Sequence, residues 1–358
     1  LSIISEGMIK IKNYDLKDRI LGCLYLAGMG DAMGAPSEAL SQNEILEKFG
    51  GYITEFYGPG DSLYVQGNIP GEITDDTSQM YEMAKAVVKS NGKFTINDAA
   101  KALVSWSKNY PKYYPRNAGA TTRFVIGELI SGKEPEQVGM TGKTYDRGTT
   151  NGAAMRVAAA GLVNPGNLDK ATEMAITMSK PSHGTQHAFA GSSAIACGIA
   201  EALTQDSTVV SVIEACIYGA KKGYIIGNKE ARNASGLNLL PKIFKSIKVA
   251  FDTVTMEETL QQLDALVGND GSIQSSVASA IGIFLATKGD ARKTVIYGAN
   301  LGGDTDTIAC IAGMLSGAFC GLSSIEKDWI EFFEAANSDL NLRELGENLT
   351  QIANKNII

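Results

Sequence analysis

The amino-acid sequence predicts an all-α fold, and three observations point that way. Apolar residues recur at helical spacing along almost the whole chain. Small residues are abundant: glycine fills 39 of 358 positions, and alanine recurs through 153–161 and 188–202, so helices can approach closely. The β-branched alternation that marks a strand is scarce.

Taken in order, Leu16–Met33 is a long apolar stretch with few helix breakers, closed by Pro36, which leaves Glu38 on a loop. A short extended piece is allowed at 51–56, followed by a turn-rich connector over 58–72 that contains Gly58-Pro59-Gly60-Asp61. The next helix runs from Thr74 to Lys89: Met80, Met83, Ala84, Val87 and Val88 fall at helical spacing, and Asn91-Gly92 supplies the stop. Further helices are expected over 96–109, 119–131, 153–162, 169–178, 186–204, 208–222, 255–266, 274–286, 305–320 and 338–354. Connectors separate them at 109–118 and 139–152, and 248–254 reads as a second short extended piece. No internal repeat or low-complexity linker divides the chain, so residues 16–358 read as one domain behind an N-terminal extension, 1–15.

With 44% hydrophobic and 20% charged residues, the chain can bury a sizeable core. Its net charge of −7 argues against a stable nucleic-acid or anionic-membrane partner. Cys23, Cys197, Cys216, Cys310 and Cys320 include no C-x-x-C pair and read as small core residues, neither a disulfide framework nor a zinc site. No apolar run reaches about 18 residues. Glu6, Lys10 and Lys12 interrupt the N-terminus, leaving no signal-peptide core, so a cytoplasmic monomer is expected.

The chemistry concentrates in two runs, Thr74-Asp75-Asp76-Thr77 and Gly302-Gly303-Asp304-Thr305-Asp306-Thr307. Every ligand atom they offer is a hard oxygen, which suits Mg²⁺, Mn²⁺ or Ca²⁺ and suits zinc poorly. If the fold joins them, four carboxylates converge, a charge density tolerable only around cations. Alone, the first run could be a helix N-cap. Asp304 and Asp306 would point apart on a regular helix and can converge only at a turn or helix start, which Gly302-Gly303 permits. A calcium loop is excluded by spacing. Asp31, inside an apolar helix, needs a partner; it could sit behind the ligands or accept structural hydrogen bonds. Asn151-Gly152-Ala153-Ala154-Met155-Arg156 is a glycine-bearing turn that opens a helix, a place where backbone N–H groups bind phosphate, with Thr150 or Asn151 as an alternative cap. A nucleophile elbow and a P-loop are both missing from the sequence.

Four ordered blocks resemble the ADP-ribosylglycohydrolase family, which includes dinitrogenase reductase-activating glycohydrolases and eukaryotic ADP-ribosyl-acceptor hydrolases. They are Gly30-Asp31-Ala32-Met33-Gly34-Ala35-Pro36-Ser37-Glu38, Thr74 to Thr77, Asn151 to Arg156 and Gly302 to Thr307. The resemblance implies a single orthogonal helical bundle with its cleft between helix ends. It implies two Mg²⁺ ions, replaceable by Mn²⁺, on Thr74, Asp75, Asp76, Asp304, Asp306 and Thr307. Glu38, Asp76 and Asp306 become the catalytic carboxylates, with Glu38 contacting the metals and moving to admit substrate. Asn151, Gly152, Ala153, Met155 and Arg156 would hold diphosphate and ribose, joined by Gly119, His183 and Gly303. Thr121 and Thr122 would line the cleft beside the Tyr110–Pro115 stretch, whose tyrosines either stack on a base or only pack. His187 has no family counterpart and reads as an ordinary helix residue. The implied reaction is hydrolysis at the anomeric carbon of ADP-ribose carried by a protein or a small molecule, by a metal-associated water or one positioned by Glu38 and Asp306. Hydrolysis of a free nucleoside or small ribosyl conjugate, or neutralisation of an ADP-ribosylating toxin by binding, are the alternatives.

Overall fold

A computed structural model describes residues 15–60, 62, 65–142 and 147–357; most of the N-terminal extension lies outside them. Among the described residues there are eighteen α-helices and no strand. The only ladder-like pairings among them are isolated bridges, Thr150 with Ser272 and Thr185 with Arg232.

At the centre the Leu16–Gly34 helix lies against the Thr305–Cys320 helix, both apolar and buried along nearly their whole length. Glycines set how closely they pack. A methyl group on Gly317 would collide with the carbonyl of Gly22, one on Gly313 with that of Leu26, and one on Gly30 with that of Ala309. A side chain at any of these points would push two backbones apart, so Gly317→Ala should cost roughly 1–3 kcal/mol of stability. Urea denaturation reads that directly; an unchanged midpoint would show the helices free to separate. The same device recurs where Gly219 and Gly223 of the Val209–Glu230 helix meet Ser193 and Phe189 of the Gln186–Ala202 helix.

The helices expected at 96–109 and 305–320 form over those residues. The one expected at 208–222 runs on to Glu230, because Gly219, Gly223 and Gly227 serve packing and do not end it. The helix expected over 153–162 is two pieces, Gly152–Met155 and Ala158–Leu162. Arg156 leaves helical geometry between them, and its side chain turns to buried partners. The extended piece at 248–254 is corrected: residues 248–252 close the Leu239–Asp252 helix, whose apolar face buries Ile243 and Val249, so tertiary burial overrides local β-propensity. No strand forms at 51–56, where the Asn300 side chain both accepts from Ile53 N and donates to Ile53 O, each at 2.8 Å. Helices at Gln42–Phe49, Pro135–Met140, Ala291–Ala299 and Lys327–Ala336 join the expected set. Cys23, Cys197, Cys216 and Cys310 are buried and Cys320 is half-buried, and all five are free thiols. No described helix is long and apolar enough to cross a membrane.

Candidate metal centre and cleft

Two helix N-termini and one loop meet at the end of the central pair. Gly302 and Gly303 hold φ of +84° and +69°, a left-handed turn that places Asp304 at the N-cap of the Thr305–Cys320 helix. The same turn clamps the Glu38 loop. Ala39 N donates to Gly303 O (2.8 Å) and Gly303 N donates to Leu40 O (2.9 Å). The carboxylate oxygens of Glu38, Asp304 and Asp306 consequently lie within 4.8 Å of one another. Thr305 faces away, donating to Gly34 O at 2.8 Å.

Thr74 caps the Asp75–Lys89 helix, its hydroxyl accepting from Asp76 N. Asp31 answers the question its burial posed. Its Oδ2 accepts from Thr74 N (2.9 Å), Thr77 N (3.0 Å) and Thr77 Oγ1 (2.6 Å), fixing the start of the helix that carries Asp75 and Asp76. The Thr307 side chain lies close enough to the Asp76 carboxyl to favour its charged form, bringing the second run to the first.

The donor set fits a hard divalent cation. All its atoms are oxygens, and Asp76 Oδ1 is buried without a hydrogen-bond partner. The charges also conflict. Burial, then the charges of Asp304 and Asp75, pushes Glu38 up to about 9. Burial, then Asp31 and Asp304, pushes Asp75 up to about 8. Asp76 and Asp306 are raised well above the carboxylate range by burial, then by their acidic neighbours. The folded metal-free protein thus keeps protons that the unfolded chain releases near pH 4. Its stability should fall as pH rises from about 4 through about 9, and a bound cation should cancel that trend by replacing the protons. Thermal melts in EDTA should therefore drop between pH 5.5 and 8.5, and melts with Mg²⁺ should not; a flat profile in EDTA would contradict the clustering.

The third block sits beside this centre and largely below the surface. Asn151 stands at the N-cap of the one-turn Gly152–Met155 helix, but its side chain makes no capping hydrogen bond. Its side-chain amide donates instead to Asp304 Oδ2 (2.7 Å) and Ser276 Oγ (2.9 Å). Gly152, Ala153, Met155 and Arg156 are buried, and so is His183, against which Gly152 packs. Arg156 is only 1% exposed, so it supports the site from beneath. Gly119 is exposed at the N-cap of the Ala120–Ile130 helix, and Thr121 Oγ1 accepts from Gly148 N, joining that helix to the 147–152 loop. Thr122 is buried, as is Tyr113, which packs with Tyr110. His187 is a buried helix residue 3.1 Å from Ala234 O. A cavity of about 720 Å³ lies elsewhere, lined by Glu82, Lys85, Lys101 and Asn341 among others, and contains none of the candidate ligands.

Sequence reasoning missed Asn269, whose carbonyl accepts from Asp304 N at 2.8 Å, and Gln79, whose amide donates to Asp75 Oδ2 at 2.8 Å. The i, i+4 spacing of Asp75 and Gln79 on one helix was a legible signal.

The sequence profile of the ADP-ribosylglycohydrolase family matches residues 12–356. The protein YegU of Escherichia coli is 28% identical over 313 residues, 86% of this chain and 90% of its own. ADP-ribosylhydrolase ARH3 of Bos taurus is 26% identical over 344 residues, 87% of each chain. A solved structure of an ADP-ribosylglycohydrolase-related protein complex superposes with a TM-score of 0.69 at 21% identity, covering 94% of this chain and 99% of that one, a likeness of fold.

Proposed function

The chain belongs to the ADP-ribosylglycohydrolase family, and from that membership we propose that it is a Mg²⁺-dependent hydrolase cleaving the glycosidic bond between ADP-ribose and its acceptor. The observation that supports this most directly is the meeting of Glu38, Asp304 and Asp306 within 4.8 Å at the mouth of a buried acidic cluster. Thr74, Asp75, Asp76, Asp304, Asp306 and Thr307 would hold two cations, with Mn²⁺ able to substitute. Cations bound there would supply electrophilic polarisation of an oxygen at the reacting ribose.

The chain's own residues do the rest. Asn151 orients Asp304 through the 2.7 Å hydrogen bond, and Asp31 orients the Asp75–Asp76 pair. Glu38, with no described side chain donating a hydrogen bond to it, is free to align water and take its proton. Residues 16–358 form the catalytic domain in this reading, working as a cytoplasmic monomer on an ADP-ribosylated protein or small molecule. The test is a hydrolysis panel of ADP-ribosyl-arginine, ADP-ribosyl-serine and an ADP-ribosylated DNA base, each with and without Mg²⁺. Release of ADP-ribose from at least one, only with metal, is expected. Turnover of none of them, with free nucleosides cleaved instead, would replace this reading by a nucleosidase.

A further inference from the structure

A line of buried polar side chains runs beneath the acidic cluster. Gln79 Nε2 donates to Asp75 Oδ2 (2.8 Å), and Arg156 donates to Gln79 Oε1 (2.6 Å). The other terminal nitrogen of Arg156 donates to Ser182 Oγ (2.6 Å) and lies 3.2 Å from His183 Nδ1. His183 Nε2 ends the line 2.9 Å from Thr150 Oγ1. Gln79, Arg156, Ser182 and His183 are all buried, whereas Thr150 is half-exposed beside Asn151.

The groups with fixed donor or acceptor character orient the line. Arginine only donates, so the Gln79 amide turns its oxygen to Arg156, and its nitrogen then meets the Asp75 carboxylate, which only accepts when ionised. His183 Nδ1 lies 3.2 Å from an Arg156 N–H, toward which it can only accept, and 2.9 Å from Ser182 Oγ, whose hydroxyl then donates to it. A neutral imidazole then carries its hydrogen on Nε2 and donates to Thr150 Oγ1. The Thr150 hydroxyl hydrogen is left without an acceptor among the described residues. The guanidinium touches only neutral groups, and the acidic side chains that act on it are Asp75, across Gln79, and Asp76. A buried cation needs such a counter-charge, so the line is anchored to the acidic cluster.

We propose that Gln79 and Arg156 are positioning residues that lock His183 in its Nε2–H form and thereby make Thr150 a hydroxyl donor at the cleft, directed at a phosphate oxygen of the ligand. The ligand half rests on the ADP-ribose reading above; the lock does not.

The chain has only two histidines, so ¹⁵N-histidine labelling gives two ring systems. In the metal-free protein one ring should show a pure Nε2–H pattern between pH 6 and 8. That ring should move in Thr150→Val, which identifies it as His183, and become a tautomer mixture in Arg156→Gln. A wild-type His183 ring that is Nδ1–H, mixed or protonated overturns the lock, whether or not Arg156→Gln folds. For the ligand half, ADP-ribose affinity is measured by calorimetry with Mg²⁺. Thr150→Val should weaken it about tenfold or more, the scale of a hydrogen bond to a charged group, and Thr150→Ser should restore it. Equal affinity in Thr150→Val overturns the ligand half. A wild-type protein that shows the tautomer but binds no ADP-ribose overturns the functional reading and its ligand while the lock stands.

Discussion

Replacing Asp304 by alanine is expected to abolish hydrolysis and leave the helical fold intact. The half-exposed carboxylate caps no backbone N–H, so its removal empties no core volume and frays no helix end. What it loses is one corner of the Glu38–Asp304–Asp306 triangle and the acceptor for Asn151. A cation held by this set contributes several kcal/mol to stabilising charge in the transition state, so a loss of about 10³-fold or more is expected. The metal-free variant should melt no lower than wild type at pH 8.5, because one source of repulsion on Glu38 and Asp75 is gone. Calorimetric titration with Mg²⁺ and Mn²⁺ should show weakened or lost binding. Full turnover by a chelator-washed wild-type enzyme in excess EDTA would sink the metal assignment altogether.

Much of this arrangement was legible in the chain because the information was local. Thr74-Asp75-Asp76-Thr77 reads as a helix start, and Gly302-Gly303 announces the turn that lets Asp304 and Asp306 face one centre. The helices at 96–109 and 305–320 have unbroken apolar periodicity between clear stops. What the sequence concealed was long-range. The Leu239–Asp252 helix depends on what buries Ile243 and Val249, which no window of residues 248–254 contains. Arg156 shows its place only when its acceptors, Gln79 and Ser182, arrive from two other segments. Asp31 shows its role only when Thr74 and Thr77 are brought to it. Polar residues in apolar surroundings were flagged by their cost, but the partners that repay it come from elsewhere in the fold.

Glu38→Gln separates binding from chemistry and should slow hydrolysis by about 10²–10⁴, the usual contribution of a positioned acid or base. The backbone around Glu38 is held on both sides. Ser37 Oγ lies 2.8 Å from both Gly34 O and Ala299 O, with its one hydrogen to share between them, and Ala39 and Leu40 are clamped to Gly303. Rotation of the Glu38 side chain would open the cleft at this point without breaking any of these bonds. Burial and the charges of Asp304 and Asp75 hold its carboxyl near 9 without metal, so at neutral pH it becomes a competent base only when cations offset those charges. Glutamine keeps the size and one acceptor oxygen but can never take the proton. ADP-ribose affinity with Mg²⁺, measured by calorimetry, should accordingly change far less than the rate. The variant should also lose part of the pH-dependent destabilisation expected in EDTA, since one of the groups forced to ionise is gone. Near-wild-type turnover would make Glu38 a bystander, and loss of Mg²⁺ binding would make it a primary ligand. Either result would shift the proton-accepting role to Asp306 or Asp76.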